Sequence, residues 1–478
     1  MPRSAAGTLV FLAAATLSVV PAVHSLTDYA NDFLSPTDIL NNNYNNTHLA
    51  QQTILQWASD SAAGAPWTVT KKPFPPPSGD DHDYMSFAPY RWPDCSNVQN
   101  TTALTAEQIW EQCNYTTIDG KLNADNRIVD NIGDFESLTD AVLYNSLAWH
   151  LSGDDTYSTR VTQWIQAWFL SNDTAMNPNL NYAQMSGGPS GQVGTHTGIL
   201  DLKGMAKIVS GVLLLRQENA STWTSDVDAG LTAWAGEYIQ WLTTADIALQ
   251  EKAATNNHGS FYYTQLASVQ ILLGDTAGAQ STIEEYFGGI YLGQIAANGD
   301  QPLETARTRP YHYRAYNLAA MITNAKIGEY VGVYAWNKTT NEGATIKTAL
   351  DYAMTVAPGS SETAYAAELY PNIAAVAAKY GDPDGKYAAF LANAEGKAYV
   401  EDANFYWNQP FSDSGFDVAG ATASSSGTAT SSAASGKSTV GTNQENFALS
   451  IGFVPWRAWG MLYGGCAVVM VTSFAEFL

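Results

Sequence analysis

From about residue 36 to residue 400 apolar residues recur every three or four positions. Tyr157, Val161, Trp164 and Trp168 fall at i, i+4, i+7 and i+11. Leu231, Trp234, Tyr238 and Trp241 repeat that logic, as do Leu138, Val142, Asn145 and Trp149, and Ile346, Leu350 and Met354 make a shorter stripe. This period gives each segment one apolar helical face. Gly-Asp and Pro breaks separate the segments at Ser152–Asp155, Leu273–Asp275 and Gly381–Pro383. Strand-like alternation is scarce. The pattern predicts about a dozen helices in successive hairpins, an all-α fold whose Trp and Tyr stripes form the core.

The two ends break the pattern. Residues 1–25 read as a secretory signal: Arg3, the apolar run Leu9–Val20, then small residues ending at Ser25. Residues 26–411 hold the helical body. Residues 412–446 are mostly Ala, Ser, Thr and Gly, a composition that buries no core. Residues 447–478 are largely apolar, although Arg457 and Glu476 interrupt them. Spacer and tail together match a GPI-anchor signal; a retained membrane helix and a soluble protein with an apolar tail are the alternatives. Asn-x-Ser/Thr sequons at Asn45, Asn100, Asn114, Asn172, Asn219 and Asn337 suit a glycosylated, extracellular chain. Cys95 and Cys113 are close enough to form a local disulfide in that compartment, two buried thiols being the other reading.

A formal net charge of -23 argues against a nucleic-acid partner. A polyanionic ligand needs only a locally positive strip, so the sparse His and Arg residues carry information. They gather in two motifs. The first, Thr255–Tyr262, contains Asn257 and His258; the second, Glu304–Tyr313, contains Arg307, Arg309, Tyr311, His312 and Tyr313. Amide, imidazole, guanidinium and phenol suit removal of a proton alpha to a carboxylate: amide and cation neutralise the carboxylate, and phenol or imidazole moves the proton. Metal motifs, nucleophile elbows, phosphate loops and dinucleotide fingerprints do not stand out, so neither metal nor cofactor is expected.

Two further segments, Pro77–Asp94 and Met176–Gln184, precede these motifs. The four in this order resemble the alginate-lyase superfamily of polysaccharide lyases, the family 38-like branch more than family 5. The resemblance implies an (α/α) toroid, an incomplete α/α barrel of about six helical hairpins, acting on a polyuronate by beta-elimination; a monomer is expected. It implies that Asn257 hydrogen-bonds the uronate carboxylate, and that His258 shares that work or takes the C5 proton. Tyr313 would protonate the departing oxygen and could also act as base. Tyr313 lies fifty-five positions beyond His258 and six beyond Arg307, like the family pair, whereas Tyr316 lies seven beyond Arg309; Tyr311 is a third choice. Arg307, Arg309 and His312 supply the cationic field a basic phenol needs.

His196, in the Gly-rich segment Ser190–Gly198, is expected as a second cleft imidazole, with Gln192 and Tyr316 contacting sugar. Tyr90, Trp92 and Tyr182 are candidate sugar platforms, or else pack over an apolar surface. His82 either lines the cleft or is exposed, and His150 is read as structural. A glycoside hydrolase using Glu304 with Asp201 or Asp300 is one rival. A non-catalytic carbohydrate binder at the cell surface is the other.

Overall fold

The computed structural model describes residues 33–41, 47–99, 104–395 and 398–408, all within one packing unit, residues 27–451. The leader, the Ser/Thr-rich linker, the apolar tail and the sequons at Asn45 and Asn100 lie outside the described residues. The chain starts with α1 (Pro36–Asn41) and α2 (His48–Ser61), then strands β1 (Met85–Phe87) and β2 (Arg91–Asp94). Next come α3 (Ala106–Gln112), β3 (Asn114–Thr117), α4 (Asn131–Ser152), α5 (Asp155–Ile165) and β4 (Tyr182–Met185). Helices α6 (Met205–Gln217), α7 (Ser225–Thr244), α8 (Asp246–Lys252), α9 (Asn257–Leu272) and α10 (Thr276–Gly288) follow. After the single turn α11 (Pro302–Thr305) come α12 (Pro310–Tyr330), α13 (Ile346–Ala353), α14 (Tyr370–Tyr380), α15 (Lys386–Glu395) and α16 (Asn404–Trp407).

Helix packing runs from α2 to α4, α6, α9, α12 and α14, and through α16 back to α2. Helix α5 packs on α4, α10 on α9 and α12, α13 on α12 and α14, and α15 on α14. This is an all-α toroid of helical hairpins. The stripes explain it: Val161, Trp164, Trp168, Leu231, Trp234, Tyr238, Leu138, Val142, Ile346 and Leu350 are all buried. Where a stripe reaches the surface its indole finds a polar partner, Trp149 Nε1 donating to Asp155 and Trp241 Nε1 to Asn181. Among the described residues no helix is long and apolar enough to cross a membrane.

Helices α9 and α12 are buried on nearly every side, so polar residues on them must bond each other. Ser260 Oγ donates to Asn317 Oδ1 at 2.8 Å, and Thr264 Oγ1 donates to Asn324 Oδ1 at 3.0 Å. Both pairs advance in the same sense, so the helices are parallel and their N-termini share one end. Those N-termini carry the two chemistry-bearing motifs. Gly259 lets the chain turn tightly into α9: a Cβ there would lie 2.0 Å from Ala254 O. Asn256 caps α9 by accepting from His258 N, and Pro310 opens α12, where its missing N–H costs nothing.

The strands form two small pairs. β1 runs parallel to β4, and β2 antiparallel to β3 from Arg91–Thr117 to Asp94–Asn114. A Cys95–Cys113 disulfide closes the far end of the second ladder. With a sequence separation of 18, chain entropy gives it roughly 3 kcal/mol. A Cys95→Ser/Cys113→Ser double variant should therefore unfold at clearly lower denaturant; an unmoved midpoint would show that the ladder holds without it.

Candidate active site

His258 and Asn257 occupy the first turn of α9, and each is braced from behind by a buried carboxylate. Glu251, at the end of α8, is 0 % exposed. Its Oε1 accepts from His258 Nδ1 at 2.7 Å and its Oε2 from His196 Nδ1 at 2.6 Å. The two imidazoles stand 6.0 Å apart, centroid to centroid. Burial alone would raise the Glu251 carboxyl, but the two imidazole hydrogen bonds outweigh it and hold the group below its ordinary range. Reciprocally, the hydrogen bond to Glu251 raises the His196 imidazole. With both Nδ1 atoms committed, Nε2 is the ring nitrogen each histidine has left for a ligand. His196, Glu251 and His258 are also the group of described residues whose ligand atoms, within 4.8 Å of one another, could hold a cation.

Glu304, in α11, braces Asn257. It accepts from the backbone N of Asn257 at 2.7 Å and from Nδ2 at 2.6 Å, while Asn257 Oδ1 has no partner. Burial raises the Glu304 carboxyl against these bonds; the fields of Arg307 and His258 both reach it, tying the two motifs together. The Asn257 amide is thus not the free donor expected from the sequence: one of its hydrogens already serves Glu304, because ionising a buried carboxylate requires donors.

Across from this pair, α12 and the loop before it present the phenols. Tyr313 OH accepts from Arg307 Nη2 at 3.0 Å and lies 2.8 Å from Tyr90 OH. The Arg307 guanidinium also covers the Tyr313 ring at 4.0 Å and pairs with Asp119 at 3.4 Å. Arg309, 8 % exposed, donates to Tyr90 OH and Tyr365 OH, and its Nε has no partner. His312 Nδ1 lies 2.6 Å from Glu368, and its ring stacks on Tyr316. Tyr311 donates to Ala366 O as a satisfied core phenol, whereas Tyr316 packs on Phe261. The Tyr313 oxygen thus meets a guanidinium directly.

Tyr90, His196, His258, Arg307, Arg309 and Tyr313 all fall within the match to the alginate lyase family model, which covers residues 68–363, well over half of the chain. The chain belongs to the alginate lyase family. It is a polysaccharide lyase. A crystal structure of an alginate lyase from Bacteroides ovatus at 1.60 Å resolution matches with a TM-score of 0.66 and 27 % identity, covering 76 % of this chain and 93 % of that one. No curated protein matches.

In this family member several sequence candidates have other duties. Tyr182 is half-buried, and the β1–β4 pairing packs it on the cluster of Met85, Phe87, Trp110, Val129 and Met185. Trp92 donates to Lys121 O, and the Lys121 ammonium stands 4.4 Å from its ring. Tyr90 turns its hydroxyl to Tyr313. Gln192 is half-buried in the loop after β4. His82 bonds Ala175 O and His150 bonds Glu218.

The carboxyl groups that hydrolysis would need are engaged. Asp201 is buried and accepts from Ser86, Gln184 and Tyr84. Burial pushes it up to about 6. Asp300 pairs with Arg314 at 2.9 Å. Sequence reasoning missed Glu251, Tyr365 and Asp119, and it weighed Glu304 only as a hydrolytic acid. A carboxylate seven positions before His258 was the one available hint of Glu251.

Proposed function

We propose that this lyase cleaves a uronic-acid-containing polysaccharide, alginate, glucuronan or a similar polymer, by beta-elimination outside the cell. The observation that carries the reading is the Tyr313 oxygen, held between Arg307 and Tyr90 beside the helix end that bears His258. The uronate carboxylate lies against His258, His196 and the remaining amide hydrogen of Asn257, with Arg307 and Arg309 adding positive field. Donors preorganised on a developing charge are the largest catalytic resource of such a site. The ionised Tyr313 oxygen takes the C5 proton. The C5–H electron pair becomes the C4–C5 double bond, the C4–O4 bond breaks, and O4 leaves with its electrons. Tyr313 then returns the proton to O4, which is open to one residue when hydrogen and leaving group share a face of the ring. The products are an unsaturated uronate and a free 4-hydroxyl.

The likeness to a structure named for alginate supports a polyuronate substrate, and Gln192, His312 and Tyr316 are proposed to contact neighbouring sugars. Extracellular residence is supported by the sequons at Asn114, Asn172, Asn219 and Asn337, all of which are exposed. A GPI anchor replacing residues 447–478 and a monomeric state belong to the same reading. The test is a secreted form ending before Ala419, incubated with a panel of polyuronates while the ultraviolet absorbance of the new double bond is followed. Absorbance should rise with one polymer and not with the His258→Ala variant. New reducing ends without absorbance would mean hydrolysis and overturn the proposal.

A further inference from the structure

The hydrogen-bonded chain Arg309–Tyr90–Tyr313–Arg307 has a direction fixed by elementary chemistry. A guanidinium only donates. Arg309 therefore donates to the Tyr90 oxygen, and Arg307 donates to the Tyr313 oxygen at 3.0 Å. The two phenols lie 2.8 Å apart, and one must donate to the other. Once the Tyr313 oxygen is ionised it has no proton to give, so Tyr90 is the donor. Arg309 then occupies the acceptor side of Tyr90 and turns its single O–H toward Tyr313. We propose that Tyr90 is a positioning residue for proton transfer, a second donor to the Tyr313 oxyanion whose polarity Arg309 sets, rather than a platform for sugar.

Three further observations agree. Burial, then the neighbouring Tyr313, pushes the Tyr90 phenol above the usual tyrosine range, which favours the protonated donor that the geometry requires. The backbone around Tyr90 is held on both sides: Tyr90 O accepts from Ile118 N at 2.9 Å, and Pro89 O accepts from Asn123 N at 2.9 Å. The Arg91 guanidinium ties the same hairpin to Ser186 O and Tyr115 O. Arg309 itself is buried, and among the described residues its guanidinium donates to phenols, those of Tyr90 and Tyr365. A buried cation bonded to hydroxyls orients them strongly and favours negative charge nearby, which is what a basic phenol in the adjoining position requires.

The inference rests on Tyr313 as the acid and base, so Tyr90→Phe is measured beside Tyr313→Phe. Tyr90→Phe keeps the ring and removes the one donor. Its kcat should fall roughly 10- to 100-fold, the worth of a hydrogen bond to a charged group, with KM unchanged. The deficit should narrow as the pH rises, because the oxyanion has lost a donor and not its place. Arg309→Gln should lower kcat in the same direction, and the double variant should lose less than the product of the two single losses. A raised KM with kcat intact, or a loss equal at every pH, would overturn the inference while leaving Tyr313 in place. Full activity in Tyr313→Phe would overturn both readings at once. Unfolding midpoints of each variant separate these results from a loss of fold.

Discussion

Tyr313→Phe should retain substrate binding and lose at least about a thousandfold in kcat, since positioned acid–base groups each contribute about 10²–10⁴ and here one oxygen performs both transfers. The substitution is conservative for the fold. The ring keeps its place under Arg307, at 4.0 Å, and against His312, at 4.8 Å. Arg307 keeps its pairing with Asp119, so the lost hydroxyl leaves no cation without a partner. The groups proposed to hold the uronate carboxylate are untouched, and KM should stay within a few-fold. Tyr316→Phe is the informative companion. Its ring packs on Phe261 and His312, and removing its hydroxyl should cost far less. Should Tyr313→Phe keep more than about a tenth of wild-type kcat, the proton would have to move through His258 instead.

The helices were legible because each buries one face, and burial leaves a period in the sequence. Val161, Trp164 and Trp168 announce α5 and the turn after it without any tertiary information. Closure into a toroid was not legible in that way: it depends on α16, a single turn, reaching both α14 and α2. A helix that is buried all round carries little amphipathic signal, so α9 and α12 were marked by their motifs rather than their periodicity. Their register is set by Ser260, Thr264, Asn317 and Asn324, which look like surface residues until the partner helix is in place. The small strand pairs, lacking alternation, left no pattern to read.

Site residues were legible where chemistry is concentrated in sequence. Asn257 with His258, and Arg307 through Tyr313, each span one helix start, so the chain order itself brings them together. Tyr90 and His196 were legible by residue type, but the partners they meet from afar were not. Tyr90 reaches Tyr313 across 223 positions, and His196 reaches Glu251 across 55. Tyr90 and Tyr182 read either as sugar platforms or as packing residues; in the structure Tyr182 packs on the core cluster and the Tyr90 hydroxyl meets another phenol. Residue type and loop context cannot distinguish those uses, because the difference lies in which atom each ring turns toward its neighbour.

Glu251→Gln should be nearly as damaging to catalysis as loss of the phenol, about 10²- to 10⁴-fold in kcat/KM, although Glu251 is proposed to touch no substrate. The carboxylate accepts from two Nδ1–H groups at once. An amide of the same shape accepts from one and presents N–H to the other. One imidazole must then change tautomer or turn away, and the anion that supports an imidazolium is gone. The same exchange predicts a pH signature in stability. Glu251 is held below its ordinary value of 4.5, so its contribution is complete above that value and fades as the pH falls through the lowered one. His196 is raised above 6.5, so its contribution is complete below 6.5 and fades as the pH rises through the raised value. Both are therefore fully present between pH 4.5 and 6.5, and the gap in Tm between wild type and Glu251→Gln should be widest there. Titration of His196 by NMR should move to lower pH in the variant. A Tm gap that stays level from about pH 3 to 8, with an unshifted His196, would show that the carboxylate packs beside the histidines without governing their charge.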